Sequence, residues 1–86
     1  MTFEIHVGSR ARKFLKKAPK DLYDRIIAKL DSLAEDPFPK DVKRVVGQKE
    51  KTFRVRVGDY RILYVLLLDQ QLILVVNIDK RPKAYD

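Results

Sequence analysis

Hydrophobic and polar residues alternate from Thr2 to Val7, with Phe3, Ile5 and Val7 on one side and Glu4 and His6 on the other. This period of two predicts a short, half-buried strand. Gly8-Ser9 then offers a turn and an N-cap, and Ala11, Phe14, Leu15 and Ala18 recur at helical spacing. The opposite face of that helix is Arg10, Arg12, Lys13, Lys16 and Lys17. Pro19 stops the first helix and opens a second, because proline suits a first helical turn. The second helix has Leu22, Tyr23, Ile26, Ile27, Leu30, Leu33 and Ala34 on its buried side and ends before Pro37-Phe38-Pro39. Two helices separated by one proline predict an antiparallel helical hairpin. Lys40 to Thr52 follows as a polar, basic connection without a clear period.

From Phe53 the period returns to two. Gly58-Asp59 suits a two-residue hairpin turn with glycine at its first position. Asp69-Gln70-Gln71 breaks the next apolar run as a three-residue loop, and Leu72 to Lys80 makes a third strand. The order is β-α-α-β-β-β, an α+β fold in which residues 1–86 form one domain. The N-terminal strand and the helical hairpin accompany a small, mainly antiparallel, twisted sheet, with the helices packed on one face.

A turn at Gly58-Asp59 places Val57 opposite Tyr60, Arg56 opposite Arg61, and Arg54 opposite Leu63. Alternation then gives Phe53, Val55, Val57, Tyr60, Ile62 and Tyr64 to the helix-covered face, and Arg54, Arg56 and Arg61 to the other. The three-residue loop sets Asn77 opposite Leu63 and Asp79 opposite Arg61. Asn77, Asp79 and Arg81 thereby join the arginine face, while Leu74, Val76 and Ile78 point at the core. Farther from Arg61 the same face carries an apolar patch of Leu63, Val65, Leu67, Ile73 and Val75. Like charges opposite one another on a sheet are destabilising. A solvated surface accounts well for one or two such arginines and poorly for four, which favours an anion site. Arginine forks match phosphate oxygens and stay charged, and tyrosines stack on unpaired bases.

Charge points the same way. Nineteen Lys and Arg against twelve Asp and Glu give 86 residues a net charge of +7. That favours a polyanionic partner, with solubility alone as the plainer alternative. The chain has no cysteine, which excludes disulfides and thiolate chemistry. The first ten residues are charged, unlike a signal peptide. The longest apolar run, Ile62 to Leu68, is far short of the roughly 20 residues that span a bilayer. A cytoplasmic protein without a membrane partner is the expectation.

No His-carboxylate cluster at metal spacing, glycine-rich phosphate loop or Ser-His-Asp set is apparent, so neither metal nor cofactor is expected. His6, the one histidine, reads as a partly exposed surface residue. Metal-free RNA cleavage is compatible with what remains, since the 2′-hydroxyl supplies the nucleophile and the protein aligns, neutralises and moves two protons. Tyr85 or Lys80 is available as the base and Arg81 as donor to the leaving oxygen. The same face would equally serve RNA binding without cleavage.

Phe53-Arg54-Val55-Arg56-Val57-Gly58-Asp59-Tyr60-Arg61-Ile62, with Tyr64 and Lys80-Arg81-Pro82-Lys83-Ala84-Tyr85, resembles the RelE/ParE superfamily of toxin–antitoxin toxins, nearer to its RelE branch. Val42-Lys43-Arg44-Val45 with Gly47 resembles the basic stretch those toxins carry before the meander. The resemblance implies a ribosome-dependent, metal-independent endoribonuclease (an mRNA interferase) that cuts mRNA in the ribosomal A site, beside 16S-type rRNA, and inhibits translation. It implies catalytic roles for Arg61, Arg81 and Tyr85 and phosphate contacts from Arg54 and Arg56; Lys80 and Lys51 are further candidates for RNA contact. It also implies a cognate acidic RelB-like antitoxin, for which the basic stripe of the first helix and the apolar patch are candidate surfaces. Lys80 stands where many relatives carry histidine, and the spacing from Arg81 to Tyr85 is shorter than in some. The alternatives are a ParE-like inhibitor of DNA gyrase on the same fold and a non-catalytic basic RNA-binding module.

Overall fold

The computed structural model describes residues 2–45 and 51–80. Strand β1 (Glu4–Val7) leads into helices α1 (Ser9–Lys17) and α2 (Lys20–Glu35). The short β2 (Lys43–Arg44) follows, then β3 (Thr52–Val57), β4 (Tyr60–Leu67) and β5 (Leu72–Lys80). The strands form one sheet in the order β1-β5-β4-β3-β2, antiparallel except for the parallel pair β1–β5. The predicted order of elements is therefore present, with β2 added inside the connection that had no period. Two residues make too short a pattern to recognise, and β2 exists because it pairs with Phe53 and Arg54.

Both helices start without a side-chain cap. Gly8, rather than Ser9, occupies the N-cap of α1, and Pro19 separates α1 from α2. A nine-residue helix is marginal alone, so packing holds it: Ala11 is fully buried and α1 lies over β5. Helix α2 buries Ile26, Leu30, Leu33 and Ala34. Tyr23, expected on that side, is 42% exposed, because it sits beyond the strip of α2 that the sheet covers.

The core joins these side chains to Phe53, Val55, Val57, Ile62, Tyr64, Leu66, Ile73, Val75 and Ile78. Tyr64, entirely buried, donates its hydroxyl to the Pro37 carbonyl at 2.7 Å. Burial and the nearby Asp41 and Asp36 carboxylates push its pKa upward, so the phenol stays neutral. The Phe53 ring lies between those of Phe38 and Tyr64, at centroid distances of 5.5 and 5.8 Å, which ties the exit of α2 to the sheet.

The expected third-strand pairing holds at one end and fails at the other. The β4–β5 loop has four residues, since Leu67 rather than Leu68 faces Leu72. A β-bulge at Val76 absorbs the extra residue, so Leu63 faces Asn77 and Arg61 faces Asp79 as expected. Between the loop and the bulge the faces are exchanged. Ile73 and Val75 belong to the core instead of the outer patch, and Val76, expected in the core, is 38% exposed. Leu74, also expected in the core, pairs with Val65 and is only half-buried. The outer apolar strip is thus Leu63, Val65, Leu67, Leu72, Leu74 and Val76. Among the described residues no helix is long and apolar enough to cross a membrane.

Candidate functional site

The turn at Gly58-Asp59 builds the site. Gly58 has φ of 58°, a left-handed conformation natural to glycine, and Val57–Tyr60 closes the hairpin. Alternation from that pair sends Arg56 and Arg61 to the face away from the helices, directly opposite each other. Arg54 faces Leu63 one step further along, and Lys43 of β2 faces Arg54. Two cross-strand rows result: Arg56, Arg61 and Asp79, then Lys43, Arg54, Leu63 and Asn77. Among the described residues no helix covers this side, where the four cations Lys43, Arg54, Arg56 and Arg61 share one sheet face.

Asp79 is the carboxylate in the first row, yet its Oδ2 accepts a hydrogen bond from Asn77 Nδ2 at 2.7 Å. Among the described residues no ion pair joins Asp79 to Arg61. The Nε of Arg61 is buried and has no hydrogen-bond partner among them. Leaving a charged donor unpaired in a half-buried place is costly, and an anion arriving from the open face removes that cost.

At the sheet edge a second device holds Arg56. Beyond Arg54, β3 has no pairing with β2, and Asp41 takes the place of the missing strand. Its carboxylate accepts hydrogen bonds from Lys29 Nζ, at 3.1 and 3.2 Å, and from the Arg56 backbone. Burial alone would raise the Asp41 pKa, but these bonds and the Lys29 charge outweigh it and hold it below the ordinary 3.8.

The structure brings Arg54, Arg56 and Arg61 together and separates two other expected residues from them. Lys80 pairs with Tyr60, so alternation assigns it to the helix-bearing side. Lys51 lies at the opposite end of β3, where its carbonyl accepts the Leu66 N–H. Five residues of strand put it about 16 Å from Arg56. Arg81 and Tyr85 lie outside the described residues, as does Gly47 of the basic stretch. His6 is on β1 with its Nε2 at 2.8 Å from Glu4 Oε1 and with 53% of its side chain exposed, the surface position expected of it. Among the described residues no group of three or more His, Asp or Glu gathers. Lys43 and Asp41 were not legible as site residues. Lys43 was visible only as part of a basic run, and Asp41 as one acid within it.

The family profile described as "ParE toxin of type II toxin-antitoxin system, parDE" matches residues 5–85. A Methanocaldococcus jannaschii protein, named as a candidate RelE1 toxin, is 34% identical over 88 residues, covering 99% of this chain and 97% of that one. The RelE–RelB complex of Pyrococcus horikoshii contains a chain that superposes with a TM-score of 0.85 at 28% identity, over 96% of this chain and 99% of that one. In fold, the RelBE2 toxin–antitoxin complex of Mycobacterium tuberculosis is also similar, with a TM-score of 0.81 at 22% identity, over 94% and 100% of the two chains. Sequence profile, relative and hairpin-borne arginine face agree, and the chain belongs to the RelE/ParE superfamily as a toxin of a type II toxin–antitoxin system.

Proposed function

We propose that this toxin is a metal-independent endoribonuclease that cuts mRNA in the ribosomal A site and so inhibits translation in the cytoplasm. The observation that carries the reading is the buried, unpartnered Nε of Arg61, set among Arg54 and Arg56 on an open face. In the reaction, the substrate's 2′-oxygen forms a bond to its own 3′-phosphorus. The bond from phosphorus to the 5′-oxygen breaks, leaving a 2′,3′-cyclic phosphate and a 5′-hydroxyl. Arg61 neutralises the charge that builds on the phosphorane, and Arg54 and Arg56 hold the flanking backbone. Tyr85 takes the 2′-proton, and Arg81 donates a proton to the leaving oxygen. The placement of Lys80 and Lys51 leaves them contacts with more distant phosphates or with rRNA.

The relatives solved as RelE–RelB complexes support a RelB-like antitoxin as the second partner. An acidic antitoxin segment complements the basic stripe on α1, and the apolar face of an antitoxin helix complements the outer strip of Leu63, Val65, Leu67, Leu72, Leu74 and Val76.

The ParE profile match favours a second reading, inhibition of DNA gyrase by protein contact. A gyrase binder has no need of an unneutralised arginine row. Primer extension on mRNA from a translating extract, run beside a supercoiling assay, separates the two. Codon-phased cuts that disappear with Arg61→Ala are expected. Intact mRNA with blocked supercoiling would replace the nuclease reading with the gyrase one, and silence in both assays would leave a binding module.

A further inference from the structure

The arginine face does not end at the sheet edge. An open cleft of about 470 Å³ runs between α2 and the β3–β4 turn, lined by Arg25, Lys29 and Ser32 on one wall and Arg56 and Gly58 on the other. Arg56 thus belongs to both the outer face and the cleft. Lys29 is neutralised by Asp41. Arg25 has no ion-pair partner among the described residues, although Asp21 stands one turn before it on the same helix. The guanidinium of Arg25 lies against the turn: its Nη2 is 2.6 Å from where a Cβ on Gly58 would stand. The bare glycine makes room for the cation, and the cation faces a cleft that contains another arginine.

We infer that this cleft is a phosphate-binding subsite, with Arg25 as its principal ligand, for a phosphodiester of the RNA strand that crosses the sheet edge at Arg56. The inference rests on the nuclease reading and extends its substrate path around the edge of β3. A guanidinium offers five N–H donors in a planar fork suited to phosphate. Arg25 is exposed, so it meets a phosphate without a large desolvation cost. Ser32 adds a hydroxyl on the same wall. The competing explanation is that the Arg25 stem only covers Val57 beneath the turn, and methionine would serve that purpose equally well.

The test is binding of a fluorescent single-stranded RNA with 2′-O-methyl groups, which removes the nucleophile, measured across a salt series. Arg25→Met should weaken binding roughly five- to tenfold and lower the slope of log K against log salt by about 0.7. Arg25→Lys should retain the slope, and an unchanged melting temperature shows that both variants are folded. If Arg25→Met binds as the wild type does while Arg61→Ala is impaired, the subsite is overturned and the nuclease reading stands. If neither variant changes binding, the subsite is equally overturned, and mRNA cleavage in the translating extract decides the nuclease reading by itself.

Discussion

Arg56 and Arg61 face each other across the β3–β4 hairpin, and the carboxylate in the same row, Asp79, is engaged by Asn77 rather than by either arginine. The Val57–Tyr60 pair closes the turn, so Arg56–Arg61 is a non-hydrogen-bonded pair, the kind in which opposing Cα atoms approach to about 4.5 Å. Two cations are thereby held on opposing strand positions at short range. Repulsion of up to about 1 kcal/mol is retained by the fold and relieved when an anion binds.

Cleavage should track that arrangement. Arg61→Ala and Arg81→Ala are expected to reduce single-turnover cutting of mRNA on programmed ribosomes by about 100- to 1000-fold, the usual effect of removing a donor aimed at transition-state charge. Arg54→Ala and Arg56→Ala should cost less and act mainly on affinity. Larger losses from the latter pair would reverse the assigned roles.

Gly58→Ala must hold a left-handed φ of 58°, and it also displaces the mobile end of Arg25, whose Nη2 lies 2.6 Å from the new Cβ. The expected destabilisation is about 1–2 kcal/mol, read as a lowered urea midpoint with an unchanged slope. An unchanged midpoint would show that the turn rearranges freely.

Tyr64→Phe removes the hydroxyl that reaches the Pro37 carbonyl and leaves a buried acceptor without its partner. A loss of about 1–3 kcal/mol is expected, with the arginine face, on the other side of the sheet, still binding RNA. Calorimetry together with the RNA-binding assay tests both halves.

Asp41 gives a pH dependence whose sign is set by its lowered pKa. Its folded value lies below its unfolded one, so its contribution is complete above the ordinary value of 3.8 and is lost as pH falls through the folded value. Asp41→Asn should therefore flatten the acid limb of the stability curve below about pH 4. Because Asp41 also holds the Arg56 backbone, the variant should weaken RNA binding at neutral pH. An acid limb identical to the wild type's would remove Asp41 from this role.

Much of the chain was legible because local rules act over a few residues. The helical spacing of Ala11, Phe14 and Leu15, the break at Pro19, and the alternation on either side of Gly58-Asp59 each specify one element. The hairpin turn, by its two-residue length, also specifies Arg56 opposite Arg61. The same rules misplaced the first half of β5. A four-residue loop and a bulge at Val76 offset each other, which preserved the pairing of Arg61 with Asp79 while exchanging the faces of Ile73 to Val76.

The sequence by itself determined the elements, the helix-covered face of β3 and β4, and the clustering of Arg54, Arg56 and Arg61. Periodicity and turn chemistry are properties of neighbouring residues, and they suffice for those features. Tertiary structure decided that Ile73 and Val75, rather than Leu74 and Val76, enter the core. It also decided that Asp41 stands in for a missing strand beside Arg56 and that Arg25 reaches the turn. Those outcomes depend on which distant surfaces compete for burial and which edge amide lacks a partner. A bulge or an edge contact leaves no periodic trace along the chain, because its energy arises only where separate elements meet.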